Sequence, residues 1–286
     1  MRMLEWFSGL GGAGAALRPE DEVVAGIDHD QAAEQVYQSW WPHPTLRRNI
    51  SSLKARAVPA ADLWWMSPPC QPYTIRGNQK DLEDRRSAAF LRVLELLDEL
   101  QPERVALENV PWFAGSQAHQ LLADWLDAQG YDRWEGELCP TAAGVPMVRR
   151  RFFLAASRVG AVQEPEFTPE TRPLATFLDP VPAEDTAIAD DVLARFADAL
   201  HLVDADDSAA IAACFTGAYG LSPVYAGSYL RQGDHLRLFS PDEVVRLLGF
   251  PAHCRLPGEI SRKKRYKLAG NSVSVHCARA VIDALR

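Results

Sequence analysis

The chain has 286 residues, 47% of them hydrophobic, and a formal net charge of −8. This length and apolar content predict one substantial α/β domain with a smaller lobe. No apolar run approaches membrane-spanning length, and the first residues include an acid, Glu5, and run directly into a glycine loop, which argues against a signal peptide. The five cysteines are widely spaced and never form a Cys-x-x-Cys pair. This spacing argues against a disulfide framework or a zinc site and predicts a cytoplasmic protein without a metal.

The acidic residues are concentrated in one segment. Between Ala161 and Ala210 lie twelve acidic residues and two arginines, so this segment carries −10 and the rest of the chain +2. Basic clusters lie elsewhere, at Arg149-Arg150-Arg151 and at Arg262-Lys263-Lys264-Arg265. Phosphate-binding faces are built from such clusters, although any single cluster is more often a solvated face. The net charge therefore does not exclude a nucleic-acid partner.

Strands and helices alternate through the first half of the chain. Hydrophobic runs predict strands at residues 3–7, 23–27, 63–66, 104–107, 131–138 and 152–156, with another before Arg48. Amphipathic patterns predict helices at residues 31–40, 87–100 and 117–129. This alternation is typical of an α/β fold with a doubly wound, mostly parallel sheet and helices on both faces.

The pattern changes at Val159, where prolines and acids replace the alternation. We therefore expect a catalytic and cofactor-binding domain at residues 1–158, a target-recognition lobe at 159–235, and a return to the catalytic domain at 236–286. Ser240, Pro241 and Glu243 form a capping-box pattern that predicts the start of a helix. Gly270-Asn271-Ser272-Val273 is expected to open a final helix.

A glycine-rich turn follows the first predicted strand. Gly9, Gly11 and Gly14 satisfy Gly-x-Gly-x-x-Gly, which lets the backbone approach a ligand at the start of a helix. The next strand ends at Asp28, whose carboxylate can bind both hydroxyls of a ribose. This combination predicts a nucleoside-containing cofactor. A nicotinamide-dependent oxidoreductase and a glycine turn without a ligand both remain alternatives.

Two candidate catalytic residues follow strand ends. Cys70 lies in Ser67-Pro68-Pro69-Cys70-Gln71-Pro72, where the prolines end the strand and present the thiol on a stiff loop. A thiolate there is a candidate nucleophile, whereas a buried cysteine in a turn is the alternative. Glu108 lies at the end of the next predicted strand, residues 104–107. It is either a second functional group or a solvated acid.

Six motifs in chain order resemble those of the cytosine-5 methyltransferase family, whose members use S-adenosylmethionine to methylate carbon 5 of cytosine in nucleic acid. The resemblance covers nearly the whole chain outside residues 159–210. It implies cofactor contacts from Phe7, Ser8, Gly9, Leu10, Gly11, Asp28, Asn49, Ile50, Pro69, Asn271, Ser272 and Val273. It also implies that the catalytic residues are Cys70, Glu108, Arg149 and Arg151. Met147 departs from the pattern, because many members have glutamine there.

The chemistry that the resemblance implies begins when the Cys70 thiolate adds to carbon 6 of cytosine, which makes carbon 5 enamine-like. Glu108, if protonated, can hydrogen-bond or protonate ring N3. An arginine can hold the ring carbonyl and favour the thiolate. A base then removes the proton from carbon 5, and the cysteine is expelled without the help of a metal.

Cys214-Phe215-Thr216, followed by Tyr219, resembles a motif of the family branch that methylates transfer RNA. That resemblance implies substrate contacts from these four residues, with a target in the anticodon loop, expected at cytosine 38 of the tRNA for aspartate or glutamate. An unpaired loop base also lowers the unstacking cost that a duplex imposes. A DNA cytosine-5 methyltransferase and a catalytically silent RNA-binding relative remain alternatives. We expect a monomer that does not bind membranes.

Overall fold

The computed structural model describes residues 1–73, 81–181 and 186–286. These residues divide into two compact units. Unit 1 comprises Met1–Leu138, Arg150–Glu166 and Cys277–Arg286, and unit 2 comprises Cys139–Arg149 and Phe167–His276. The predicted domain boundaries differ from the bounds of these units. The division into a catalytic domain and a target-recognition lobe remains a prediction.

Unit 1 is built on a seven-stranded sheet. Its strands are β1 (Arg2–Trp6), β2 (Glu22–Asp28), β3 (Thr45–Arg47), β4 (Leu63–Met66), β5 (Arg104–Asn109), β6 (Asp132–Leu138) and β7 (Arg151–Ser157). They lie in the order β3-β2-β1-β4-β5-β7-β6. The first five strands pair in parallel, whereas β7 is antiparallel to both β5 and β6. The predicted mostly parallel sheet is confirmed.

The helices of unit 1 follow the predicted alternation. They are α1 (Gly12–Ala16), α2 (Gln31–Trp40), α3 (Ser87–Leu100) and α4 (Gln117–Ala128), and most of α8 (Val275–Asp283) also belongs to this unit. The bounds of α2 and α3 agree with the prediction. Asp30 starts α2 because its carboxylate accepts hydrogen bonds from the N–H groups of Ala32 and Ala33. No described helix is long and apolar enough to cross a membrane.

Unit 2 contains a second, smaller sheet and its own helices. Its elements are α5 (Asp190–Phe196), β8 (Leu202–Asp204), β9 (Tyr229–Gln232), β10 (His235–Leu238), α6 (Pro241–Leu247) and α7 (Arg262–Asn271). The predicted capping box of α6 is present, since Ser240 Oγ accepts from the N–H of Glu243 at 3.1 Å and the Glu243 carboxylate accepts from the N–H of Ser240 at 2.7 Å. This reciprocal pair satisfies two donors that the helix itself leaves without partners.

The structure corrects one helix prediction. The basic run Arg262-Lys263-Lys264-Arg265 forms the first turn of α7, and Gly270 and Asn271 end that helix instead of opening the next one. The last helix, α8, begins at Val275. The run has no apolar residues at helical spacing, so periodicity alone does not predict the helix. The buried residues of α7 are grouped at its carboxyl-terminal end.

Candidate active site

The carboxyl ends of β1 and β4 meet where the strand order of unit 1 reverses. β1 lies between β2 and β4, and open α/β sheets bind ligands beside such a reversal. The glycine loop leaves the end of β1, and the Cys70 segment leaves the end of β4. Ser67 donates its N–H to the carbonyl oxygen of Trp6 at 3.3 Å, which holds the starts of the two segments side by side.

The glycine loop has a backbone that only certain residues adopt without strain. Gly9 and Gly11 have φ angles of 51° and 80°, and Phe7 has a φ of 55°, which is unfavourable for an aromatic residue. Apart from its chain neighbours, a Cβ on Gly9 would meet only the carbonyl oxygen of Phe7 among the described atoms, at 4.0 Å. At Gly11 a Cβ would lie 2.5 Å from Nε1 of Trp41. Gly9 therefore leaves open space for a ligand, whereas Gly11 is required by packing.

Asp28 lies at the end of β2, beside the glycine loop. Its carboxylate accepts hydrogen bonds from the N–H of Gly9 and the N–H of Asp30, both at 2.9 Å. Asn49 lies after β3, and its Oδ1 accepts from the N–H of Ser51 at 3.2 Å at the start of the 3-10 helix Ile50–Ser52. The predicted cofactor residues of unit 1 thus follow the carboxyl ends of neighbouring strands.

Glu5 is a buried acid beneath the glycine loop that the sequence analysis did not assign. Its Oε1 accepts hydrogen bonds from the N–H groups of Ala13 and Gly14 at 3.0 and 3.4 Å, and its Oε2 accepts from the hydroxyl of Tyr37 at 3.3 Å. Burial raises the pKa of Glu5 from its ordinary value of 4.5 to about 7. Gly11 provides no side-chain cap for α1, so Glu5 satisfies the first N–H groups of that helix. The sequence signal for a role of Glu5 is its position as an acid inside an otherwise apolar strand.

The Cys70 segment is held to β5 by a side chain. Nδ2 of Asn109 donates to the carbonyl oxygen of Pro68 at 3.1 Å, so the residue after Glu108 fixes the loop that carries Cys70. Cys70 is partly exposed. The pKa of Arg86 is raised mainly by its hydrogen bonds to Asp84. The charge of Cys70 raises it to a lesser extent. A cation close enough to interact with Cys70 favours its thiolate.

Glu108 and Arg151 form an ion pair, with Arg151 Nε 3.3 Å from Glu108 Oε1. Their side chains are only 10% and 15% exposed. The pair exists because β7 runs antiparallel to β5, which brings the first residue of β7 to the carboxyl end of β5. Unit 1 therefore combines a thiol, a carboxyl group and a guanidinium at one edge of its sheet.

Arg149 and Arg151 belong to different compact units. Arg149 belongs to unit 2, where it is 2% exposed. Its guanidinium donates to three carbonyl oxygens, those of Phe215 at 2.9 Å, Gly270 at 3.1 Å and Ser272 at 2.5 Å. These contacts join the Cys214-Phe215-Thr216 segment to the end of α7. They give Arg149 a positioning role, and a direct catalytic role for it remains a prediction.

The predicted substrate residues of unit 2 differ in burial. Phe215 and Tyr219 are 1% and 2% exposed, and their rings pack edge to face with centroids 4.8 Å apart. Cys214 and Thr216 are half-buried. Burial gives the two rings a structural role, and their direct contact with substrate remains an untested prediction. Sequence alone does not distinguish an aromatic core residue from one that stacks on a base.

The closing cofactor motif also lies in unit 2. Asn271 is exposed at the end of α7, whereas Ser272 and Val273 are 8% and 6% exposed. A Cβ on Gly270 would lie 2.2 Å from the backbone of Thr216, so the two segments pack backbone against backbone. Contact of this motif with a cofactor remains a prediction.

Comparison with known proteins identifies the protein family. The family model for the C-5 cytosine-specific DNA methylase matches residues 1–195 and 205–286. The chain belongs to this family. It is 32% identical to the tRNA (cytosine(38)-C(5))-methyltransferase of Schizosaccharomyces pombe, and the match covers 100% of this chain and 96% of that protein.

Two further relatives point to the same branch. The chain is 27% identical to the human tRNA (cytosine(38)-C(5))-methyltransferase over 100% of this chain and 99% of that protein. The crystal structure of the S. pombe Dnmt2 methyltransferase superimposes with a TM-score of 0.87 at 29% identity, over 99% of this chain and 97% of that one. This similarity is consistent with the seven-stranded methyltransferase sheet of unit 1.

Proposed function

We propose that this chain uses S-adenosylmethionine to methylate carbon 5 of a cytosine in the anticodon loop of tRNA, with cytosine 38 as the expected target. The observation that carries the proposal is the arrangement of Cys70, Glu108 and Arg151 at the edge of the unit 1 sheet. Glu108 and Arg151 are 3.3 Å apart, and Asn109 anchors the loop that presents Cys70. A nicotinamide-dependent oxidoreductase leaves this arrangement without a role.

The residues of the chain divide the chemistry between them. Cys70 forms a bond from its sulfur to carbon 6 of cytosine, and the displaced electron pair makes carbon 5 nucleophilic. Glu108, protonated, donates to ring N3 and stabilises the charge that this attack creates. The Arg151 guanidinium, with Nε 3.3 Å from Glu108 Oε1, orients the Glu108 carboxyl group and supplies donors for the ring carbonyl. After methyl transfer a base takes the proton from carbon 5, and the carbon–sulfur bond breaks to release Cys70.

The glycine loop fits the cofactor. Gly9 leaves open space above its backbone, and the Asp28 carboxylate beside it suits ribose hydroxyls. We assign Phe7, Gly9 and Asp28, with Asn49 and Ile50, to cofactor binding. S-adenosylmethionine, when bound, supplies the electrophilic methyl group and leaves as S-adenosylhomocysteine. The chain itself provides the cradle and orients the nucleophile toward it.

The relatives support tRNA over DNA as the substrate. Those of S. pombe and human are named tRNA (cytosine(38)-C(5))-methyltransferases and match the full length of this chain. The Cys214-Phe215-Thr216 motif agrees with that branch. An unpaired base also reaches Cys70 and Glu108 at a lower cost in free energy than a base stacked in a duplex.

Transfer of labelled methyl from S-adenosylmethionine to total tRNA and to duplex DNA tests the proposal. We expect label in tRNA from the wild type and none above background from Cys70→Ala. Cys254→Ala is the matched control, because burial raises the pKa of that thiol to about 12 and makes it a poor nucleophile. Label in DNA alone, or tRNA label that persists in Cys70→Ala, would contradict the proposal.

A further inference from the structure

Glu5 places an ionisable group beneath the glycine loop, inside the sheet of unit 1. The residue is 2% exposed and lies in register with Gly26 of β2 and Trp65 of β4. Its Oε1 accepts hydrogen bonds from the N–H groups of Ala13 and Gly14 at 3.0 and 3.4 Å. A glutamine would offer an acceptor to the same two donors without an ionisable group. Capping of α1 alone therefore does not explain why the buried residue is an acid.

A second carboxylate contacts the same loop. Asp28 accepts a hydrogen bond from the N–H of Gly9 at 2.9 Å. Burial is the largest cause of the raised pKa of Glu5, and the negative charge of Asp28 adds to it, so the two carboxyl groups interact. Residues 8–16, which form the loop and α1, contain no charged side chain. The charges that act on this loop from its two neighbouring strand positions are therefore both negative, which favours a cationic ligand.

The same contacts remove the feature that attracts phosphates to glycine-rich loops. Such loops bind phosphate through N–H groups that have no other acceptor. In this chain Glu5 accepts from the N–H groups of Ala13 and Gly14, and the N–H of Gly11 donates to the carbonyl oxygen of Ser8 at 2.8 Å. These three donors are satisfied within the protein. The loop therefore suits a cofactor that carries positive charge rather than a pyrophosphate.

Tyr37 joins the carboxyl group of Glu5 to the shape of the loop. Its hydroxyl donates to Oε2 of Glu5 at 3.3 Å. A Cβ on Gly11 would lie 2.8 Å from the ring of Tyr37, and one on Gly26 would lie 2.9 Å from it. The ring thus packs against both glycines while the hydroxyl orients the acid. This packing keeps the Glu5 carboxyl group in one position beneath the loop.

The charge beneath the loop depends on the protonation of Glu5. Burial raises the pKa of Glu5 to about 7 and that of Tyr37 well above its ordinary value, so the tyrosine stays neutral. Neither α1 nor β4 contains a titratable side chain. The remaining acids of α2 and of the carboxyl end of β2 are Glu34, which pairs with Arg47 at 3.0 Å, and Asp28. A rise in pH through about 7 therefore adds one negative charge beneath the loop.

We propose that Glu5 is a specificity-determining residue that makes the cofactor site prefer the sulfonium cation of S-adenosylmethionine over the uncharged thioether of S-adenosylhomocysteine. The ionised carboxyl group attracts the positive charge across the loop, and the protonated group does not. Methyl transfer removes the positive charge from the cofactor. The product consequently binds less tightly than the substrate and leaves the site more readily. This inference rests on the proposed use of S-adenosylmethionine.

Calorimetric titration with the two cofactors tests the inference without any turnover. The measured quantity is the Kd for S-adenosylhomocysteine divided by the Kd for S-adenosylmethionine. Between pH 5.5 and pH 8.5 this ratio should rise about fivefold more in the wild type than in Glu5→Gln, because only the wild type gains a charge there. Titration of the amino group of the cofactor is common to both proteins, so the difference between their profiles isolates Glu5.

Two further variants separate charge from structure. Tyr37→Phe removes the hydroxyl donor but keeps the ring against Gly11 and Gly26, and it should keep the wild-type ratio at pH 8.5. Glu22→Gln removes an equal charge at the amino end of β2, where the side chain is 64% exposed. This variant is the matched control, and its ratio should equal that of the wild type at both pH values. Thermal scans at pH 5.5 establish that each variant is folded.

Three outcomes would overturn the inference. If the wild type methylates tRNA and Glu5→Gln keeps the wild-type pH profile of the ratio, Glu5 does not set the preference and the proposed function stands. If Tyr37→Phe lowers the ratio as much as Glu5→Gln, the shape of the loop sets the preference instead of the charge. If the wild type binds neither cofactor, the proposed function fails and the inference fails with it.

Discussion

Glu5 makes the glycine loop sensitive to pH. Its carboxyl has a pKa of about 7 in the folded protein against an ordinary value of 4.5, mainly because of burial. The folded state therefore holds the proton more tightly, so the stabilisation is complete below pH 4.5 and is lost as the pH rises through about 7. We expect the free energy of unfolding of the wild type to fall between pH 5 and pH 8 by about 1–3 kcal/mol more than that of Glu5→Gln. Denaturant unfolding at the two pH values measures this difference, and parallel pH profiles would contradict it.

Arg149 and Arg151 should respond differently to the same substitution. Lysine cannot reproduce the fork with which Arg149 donates to three carbonyl oxygens, so Arg149→Lys should lower Tm by about 5–10 °C. Arg151→Lys keeps a cation beside Glu108 and should change Tm by less than about 3 °C while lowering kcat about 100-fold. Thermal scans and methyl-transfer rates of both variants test the contrast. Equal losses of Tm would show that the two arginines do not have separate roles.

Among the elements, α7 depends on a close approach of two backbones. A Cβ on Gly270 would lie 2.2 Å from backbone atoms of Thr216, and neither backbone can move like a flexible side chain. Gly270→Ala should therefore lower Tm by about 5 °C or more. Gly258→Ala, where no described atom lies within 4 Å of the new Cβ, is the control and should leave Tm within about 2 °C. A Tm for Gly270→Ala equal to that of the control would mean that the helix tolerates a wider separation.

The prediction of elements succeeded where one pattern controlled the structure. Helix α3 has a clear apolar face, and its bounds agree with those predicted from the sequence. Helix α7 was missed because its first turn is basic and its buried residues come late. The glycine contacts that hold α7 arise from residues far apart in the chain, and no local pattern contains them.

For the whole molecule, alternation of strands and helices was enough to predict the α/β class, because a parallel sheet requires crossover helices. The chemistry was predictable from the family resemblance that includes Cys70 and Glu108, whereas their positions near strand ends left a non-catalytic role open for each. The roles of Glu5, Asn109 and Arg149 were not predictable, because each depends on which distant backbone groups the fold brings near. Net charge also hides local differences, because residues 161–210 carry −10 whereas α7 carries five cations and no acidic residue.

The reversed strand β7 fixes the backbone that carries one partner of the Glu108–Arg151 ion pair. Its ladder pairs six residues with β5 and seven with β6, from Arg151 onward on the β6 side. Arg151 pairs with Leu138 of β6, and the next residue, Phe152, pairs with Asn109 of β5, so the strand pairing fixes the backbone at Arg151. The sheet of unit 1 therefore sets the spacing of the Glu108–Arg151 pair, because both residues lie in paired strands.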